Sequence, residues 1–175
     1  MTAIIDADSL IYIIAYNNRE GGTEETVRES CDSFLRDILA LTGCDDYYGV
    51  FSPSKCFRHL LYRYNPYKGT RPPAEEWLTT WKPIIVNYFT DRHGFFTVQD
   101  LEADDVVCAL NNSTSVICSP DKDLRQVPGI FFDYRKKETE FISTAPVKVS
   151  EDQADRNFWI QMLMGDTTDA ISGVP

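Results

Sequence analysis

Leu101-Glu102-Ala103-Asp104-Asp105-Val106-Val107 sets three carboxylates in four positions, directly ahead of the apolar residues Val106, Val107, Ala109 and Leu110. The pattern predicts the first turn of a helix whose body is buried. Glu102 and Asp105 are three apart and share a helix face, while Asp104 points about a quarter-turn away. Acids near a helix N-terminus are favourable against the macrodipole by roughly 0.3–1 kcal/mol each. That accounts for one or two of them. Three acids beside an apolar segment need a further cause, because close carboxylates repel and raise one another's pKa unless a cation lies between them. The expectation is a divalent metal, with the fold bringing other carboxylates to the same place.

Working outward, other acids sit where such a fold would gather them. Residues 2–7 read as a short buried strand ending in Asp6, with Asp8 just beyond. The C-terminal ends of strands are where open α/β sheets place their ligands. Either acid could also cap a helix starting near Ser9. From Glu24, the positions Val27, Cys31, Phe34, Leu35, Ile38 and Leu39 repeat at helical spacing and Gly43 supplies the stop. Residues 47–51 form a second strand, so the chain opens with a strand–helix–strand unit and a parallel sheet. Residues 74–88 read as a helix broken or restarted at Pro83. Strands follow at 95–98 and at 115–118, the latter leading into Asp121-Lys122-Asp123. Residues 130–133 and 138–142 read as a hairpin with Arg135-Lys136-Lys137 at or near its turn. Ser150 begins a last helix, with Phe158, Trp159, Met162 and Leu163 apolar, which runs into Gly165-Asp166-Thr167-Thr168-Asp169.

Residues 52–73 differ in character. Lys55, Arg58, His59, Arg63, Lys68 and Arg71 are interleaved with Phe57, Tyr62, Tyr64 and Tyr67, and no acid interrupts them. A basic and aromatic mixture suits a phosphate backbone, with rings to stack on unpaired bases. The formal net charge of −10 argues the other way. If the acids line a metal site, however, bound cations offset them and the local electrostatics invert.

Length and composition fit one globular domain over residues 1–175. No apolar run approaches the roughly 20 residues of a membrane span, and no signal-peptide pattern opens the chain. The five cysteines are widely spaced, without zinc-ligand spacing, and suit reduced thiols in a cytoplasmic protein. All-oxygen ligation selects Mg²⁺ or Mn²⁺ over zinc or copper. Two such ions can activate a water and stabilise the leaving oxygen of a phosphodiester. No Walker-type loop is present. Phosphodiester hydrolysis fits, with Lys68 and Arg71 placed to bind the scissile phosphate.

In order along the chain, Ile-Ile-Asp6, Tyr67-Lys68-Gly69-Thr70-Arg71, Glu102-Ala103-Asp104-Asp105, Asp121-Lys122-Asp123 and Gly165-Asp166-Thr167-Thr168-Asp169 followed by Gly173-Val174 resemble the motifs of the 5′-3′ exonuclease/flap endonuclease family. The resemblance implies an α/β, PIN-like three-layer fold with a mostly parallel central sheet flanked by helices, and a basic arch over about residues 52–80. It implies a Mg²⁺- or Mn²⁺-dependent 5′ nuclease acting on DNA near 5′ ends or flaps, and on the RNA of RNA–DNA hybrids. By position, Asp6, Glu102, Asp104, Asp121 and Asp123 fall in or near a first metal site, and Asp105, Asp166 and Asp169 in a second. Asp6 and Asp104 join Lys68 and Arg71 as catalytic residues. Lys55, Arg58, Arg63, Tyr67, Lys68 and Arg71 fall to nucleic-acid binding.

The sequence departs from the family pattern in two places. Where the family usually carries an Asp after its second strand, this chain has Ser52. Asp8 or Asp46 are candidates to compensate. The family's duplex-gripping helix–two-turn–helix follows Gly-Val-x-Gly, close to Pro175 here, which raises the expectation of a truncated sequence or of a second chain supplying that grip. Two other functions compete: a PIN-type ribonuclease, and a non-catalytic nucleic-acid-binding subunit.

Overall fold

The computed structural model describes residues 1–61, 67–69, 72–137, 140–166 and 171–174. Arg63, Arg71 and Asp169 lie outside them. The central sheet is built from β1 (Thr2–Asp6), β2 (Asp46–Phe51), β3 (Phe96–Thr97), β4 (Ser115–Cys118), β5 (Gly129–Phe132) and β8 (Val147–Val149), in the order β3-β2-β1-β4-β5-β8. All neighbours are parallel except β5 and β8. The chain reverses direction beside β1, and that is where the strand ends diverge and leave room for a site.

Alternation along β1 assigns the two faces. Ala3 and Ile5 enter one core and Ile4 the other, just as Val116 and Cys118 oppose Ile117 on β4. The first core packs under α1 (Ala7–Asn17), α2 (Glu24–Thr42) and α4 (Glu76–His93). The second lies under α5 (Ala103–Leu110). Three layers result, as expected for a PIN-like fold. The α2 helix starts at a Thr23–Thr26 capping box and stops at Gly43, whose φ of 65° suits glycine.

Four elements differ from the sequence reading. The α4 helix runs unbroken through Pro83. Pro83 is exposed, as is Thr79, whose carbonyl loses its helical N–H partner to the proline, while Ile85 and Phe89 are buried and hold the helix down. The 95–98 segment forms only the two-residue β3. The hairpin expected from 130–133 and 138–142 does not form. Phe131 and Phe132 are buried and belong to β5, which pairs with β4 and β8, while Lys136–Lys137 (β6) pairs with Glu140–Phe141 (β7) in a separate ribbon. Strand β8 had no sequence signal strong enough to separate it from its loop.

The last helix, α6 (Glu151–Met164), begins at a Ser150–Gln153 capping box. Its only buried residue is Ala154, and Phe158, Trp159, Met162 and Leu163 are exposed. Beyond it, β9 (Gly165–Asp166) pairs antiparallel with β10 (Ile171–Ser172). A helix α3 of four residues (Arg58–Leu61) sits at the base of the basic segment.

Candidate metal and nucleic-acid site

Strand β1 delivers Asp6 to the sheet's C-terminal edge, where the side chain does two jobs. Its Oδ1 accepts the Asp8 N–H at 3.2 Å and caps α1, and its Oδ2 accepts the Ser119 hydroxyl at 2.8 Å. The buried Tyr134 hydroxyl donates to the Asp6 carbonyl at 2.5 Å. Ser119 follows β4, and its oxygen also accepts the Asp121 N–H at 3.0 Å, while Asp121 Oδ1 accepts the Asp123 N–H at 2.8 Å. A continuous run of hydrogen bonds thus fixes the Asp-Lys-Asp turn against the end of β1. Asp166 arrives from the other side, on β9. Gly165 has φ 72°, and a Cβ there would lie 2.3 Å from the Gly173 nitrogen, so both glycines are needed for the tight return. The Val174 N–H closes that return on the Leu163 carbonyl at 2.8 Å.

The acids so placed line one cavity of about 300 Å³. Asp6, Asp8, Asp104, Asp121, Asp123 and Asp166 supply acids, and Tyr67, Lys68 and Lys122 complete much of the wall. Burial, then the Asp8 carboxylate, push Asp6 up to about 6, against the hydrogen bonds from Ser119 and the Asp8 N–H. Asp104 is exposed and lines the cavity with the other acids. Partial loss of solvent there, and then Asp6, Asp121, Asp8 and Glu102, push it up to about 8. Asp123 is raised by burial and by Asp121 and Asp166, with Gln161 opposing.

Glu102 and Asp105 form a different group. Arg58 donates to both Asp105 oxygens at 2.7 Å and to Glu102 at 3.1 Å. Glu102 also receives Lys68 Nζ at 2.5 Å and the Tyr67 hydroxyl at 2.6 Å. Burial works to raise Glu102, but these donors outweigh it and hold the carboxyl below its usual range. The Arg58 hydrogen bonds do the same for Asp105. The shared face read from sequence is therefore real, but guanidinium occupies it. Asp105 does not line the cavity.

Arg58 is tied to acids, and Lys55 is exposed. Tyr67 and Lys68 meet the acids as well as the basic segment, with Lys68 at φ 56°. The base of that segment is fixed where the Phe57 N–H donates to the Asp100 carbonyl at 2.9 Å. Ser52 is also committed: its hydroxyl accepts the Ala103 N–H at 2.8 Å, capping α5, and its own N–H donates to Asp8 Oδ1 at 3.1 Å. Asp46 begins β2 opposite Thr2, at the far end of the sheet from Asp6. Sequence reading gave Ser119 and Tyr134 no role, since their use depends on pairing across the sheet.

Among the described residues, no three Asp, Glu, His or Cys groups are drawn together tightly enough to grip an ion as they stand. Close carboxylates repel: at an effective dielectric of about 20, two of them roughly 5 Å apart oppose each other by about 3 kcal/mol. The donor set itself fits a hard cation, being all oxygen, and among the described residues Asp6, Asp104 and Asp121 are in no ion pair although Lys68 and Lys122 line the same cavity.

Comparison with known proteins gives a consistent answer. No match was found among curated protein sequences. Among solved structures, bacteriophage T5 5′-exonuclease with divalent metal ions (zinc) bound aligns at TM-score 0.68 and 18% identity, over 99% of this chain and 70% of that one. A bacteriophage T5 flap endonuclease in a pseudo-enzyme–product complex with DNA and metal ions aligns at TM-score 0.63 and 18% identity, over 99% and 69%. At such identity the likeness shows the fold. The family model for the 5′-3′ exonuclease N-terminal resolvase-like domain matches residues 1–152. The chain belongs to the 5′-3′ exonuclease family.

Proposed function

We propose that this protein is a divalent-metal-dependent 5′ nuclease that hydrolyses phosphodiester bonds of DNA near 5′ ends or flaps. The observation that carries the reading is the single cavity in which Asp6, Asp104, Asp121, Asp123 and Asp166 converge, with Lys68 on its wall. Residues 1–175 serve as one catalytic domain. Asp6, Asp104 and Asp121 would hold one Mg²⁺ or Mn²⁺ ion, and Asp123, Asp166 and Asp169 a second. Such ions neutralise phosphate charge and supply an activated water.

The chain's own residues then have separable tasks. Lys68 brings its ammonium group to the cavity and is poised to contact the scissile phosphate. Until then Glu102 holds that ammonium group. Tyr67 offers a ring beside that phosphate, and the exposed Lys55 adds positive charge; Arg63 and Arg71 are assigned to nucleic-acid binding from their place in the basic stretch of sequence alone. The five free cysteines favour a reducing, cytoplasmic setting.

The test is cleavage of a 5′-labelled flap, a nicked duplex and an RNA–DNA hybrid, each with Mg²⁺, Mn²⁺ or EDTA. Metal-dependent release of products from the 5′ end, lost in Asp104→Asn, is expected. Cleavage of RNA alone would favour a ribonuclease. Binding without cleavage of any substrate would leave only a nucleic-acid-binding subunit.

A further inference from the structure

Asp8 has no role in the carboxylate sets assigned above, yet it stands in the same cavity. It is the second residue of α1, two positions after the cap Asp6, and it is exposed toward the open space that Asp6, Asp104 and Asp121 border. Its position relative to β2 is the informative point. The Ser52 N–H donates to Asp8 Oδ1 at 3.1 Å, so the Asp8 carboxylate lies directly beside residue 52, just past the end of β2. Ser52 cannot bring charge to that place. Its hydroxyl is taken up by the Ala103 N–H at 2.8 Å, where it holds the first turn of α5 and with it Asp104.

We propose that Asp8 is a metal ligand of the site formed by Asp6, Asp104 and Asp121, supplying from α1 the negative charge that the Ser52 position lacks. This inference rests on the proposed metal-dependent nuclease. One Asp8 oxygen is anchored by the Ser52 amide, which fixes the carboxylate's direction and leaves the second oxygen for a cation. A solvated helix-end acid needs no such anchor. The division of labour is economical in atoms: one side chain builds the helix start that carries Asp104, and its neighbour supplies the charge.

The test measures Mn²⁺ binding to the full chain without nucleic acid, from loss of the free-ion electron paramagnetic resonance signal. Wild type, Asp8→Asn and the exchange variant Asp8→Ser/Ser52→Asp are compared. Asparagine keeps an acceptor for the Ser52 N–H, and an aspartate at 52 can still cap α5, so melting in EDTA checks that each variant folds. Asp8→Asn is expected to weaken the tighter Mn²⁺ site at least tenfold, and the exchange to recover it to within about threefold of wild type. Equal Mn²⁺ affinity in wild type and Asp8→Asn overturns the assignment while leaving the metal site standing. Failure of the folded wild type to bind Mn²⁺ overturns both this assignment and the nuclease reading beneath it.

Discussion

At the scale of single residues, Asp104 and Lys68 each make a separate prediction. Asp6 and Asp104, at about 6 and about 8, take up protons in the folded chain that the unfolded chain has already released. Between pH 4 and 8 the native state therefore binds more protons than the unfolded one, and stability falls as pH rises. In EDTA, the melting temperature is expected to drop from pH 6 to pH 8. Saturating Mg²⁺ should flatten or reverse the trend, because the cation competes with those protons. Below about pH 4 the sign changes, as Glu102 and Asp105, both lowered, lose their charge and their hold on Lys68 and Arg58. Asp104 is exposed, so solvent screens most of the repulsion on it; after that discount, Asp104→Asn should raise the metal-free melting temperature at pH 8 by roughly 2–4 °C, the equivalent of about 1 kcal/mol in a domain of this size. A melting curve that is level across pH 6–8 in EDTA would show that the cleft does not store this repulsion. For Lys68→Ala, single-turnover cleavage is expected to fall by on the order of 10²–10³, with a much smaller loss in DNA affinity. Matching losses in both would make Lys68 a binding residue only.

Elements explain why these side chains stay where they are. The first turn of α5 is gripped from two directions, by the Ser52 hydroxyl on its backbone and by Arg58 on its acids. Arg58 is partly exposed, with its side chain at 28%, so the pair is neither a surface ion pair nor a sealed one. Arg58→Ala should cost about 1–3 kcal/mol in metal-free unfolding, the range for charged hydrogen bonds lost at a half-buried site. Arg58→Lys should recover only part of it, since an ammonium group cannot span both Asp105 oxygens. Urea melts of the two variants give the comparison, and an unchanged midpoint in Arg58→Ala would remove the clamp from the account. The glycine pair at the other end of the cavity is less forgiving. Gly165→Ala places a Cβ against backbone atoms at 2.3–2.6 Å, with φ in the left-handed region, so β9 and β10 must separate. Asp166 then leaves the cavity wall, and cleavage should fall while the sheet core, and most of the stability, remains. A variant with wild-type cleavage would place Asp166 outside the reaction.

For the molecule as a whole, the net charge of −10 is a statement about cations. A ligand that binds only the native state at 100 times its Kd adds about 2.7 kcal/mol. That corresponds to roughly 5–10 °C in melting temperature for this length. Differential scanning calorimetry in Mn²⁺ against EDTA should show a rise of that order, and no rise would mean that the acids do not act together on a metal. Much of this architecture can be read from the chain. The 3.6-residue spacing of α2, the short apolar strand β1, and the acids following β1 and β4 are properties of neighbours in sequence. Pro83 misleads for the opposite reason: a local rule forbids it inside a helix, and burial of Ile85 and Phe89 across the sheet overrides the rule.

The sequence by itself determined the residue types of the site, their order, and a parallel α/β scaffold to carry them, because periodicity and strand-end placement are short-range effects. Tertiary structure alone decided how the acids divide. Spacing could not reveal that Arg58, 44 and 47 residues away, neutralises Glu102 and Asp105, while Asp104 between them faces Asp6 and Asp121 with no basic partner among the described residues. Nor could it place Asp8 beside Ser52, since that contact joins α1 to the end of β2 across 44 residues. Charge is compensated by proximity in space, and proximity belongs to the folded chain.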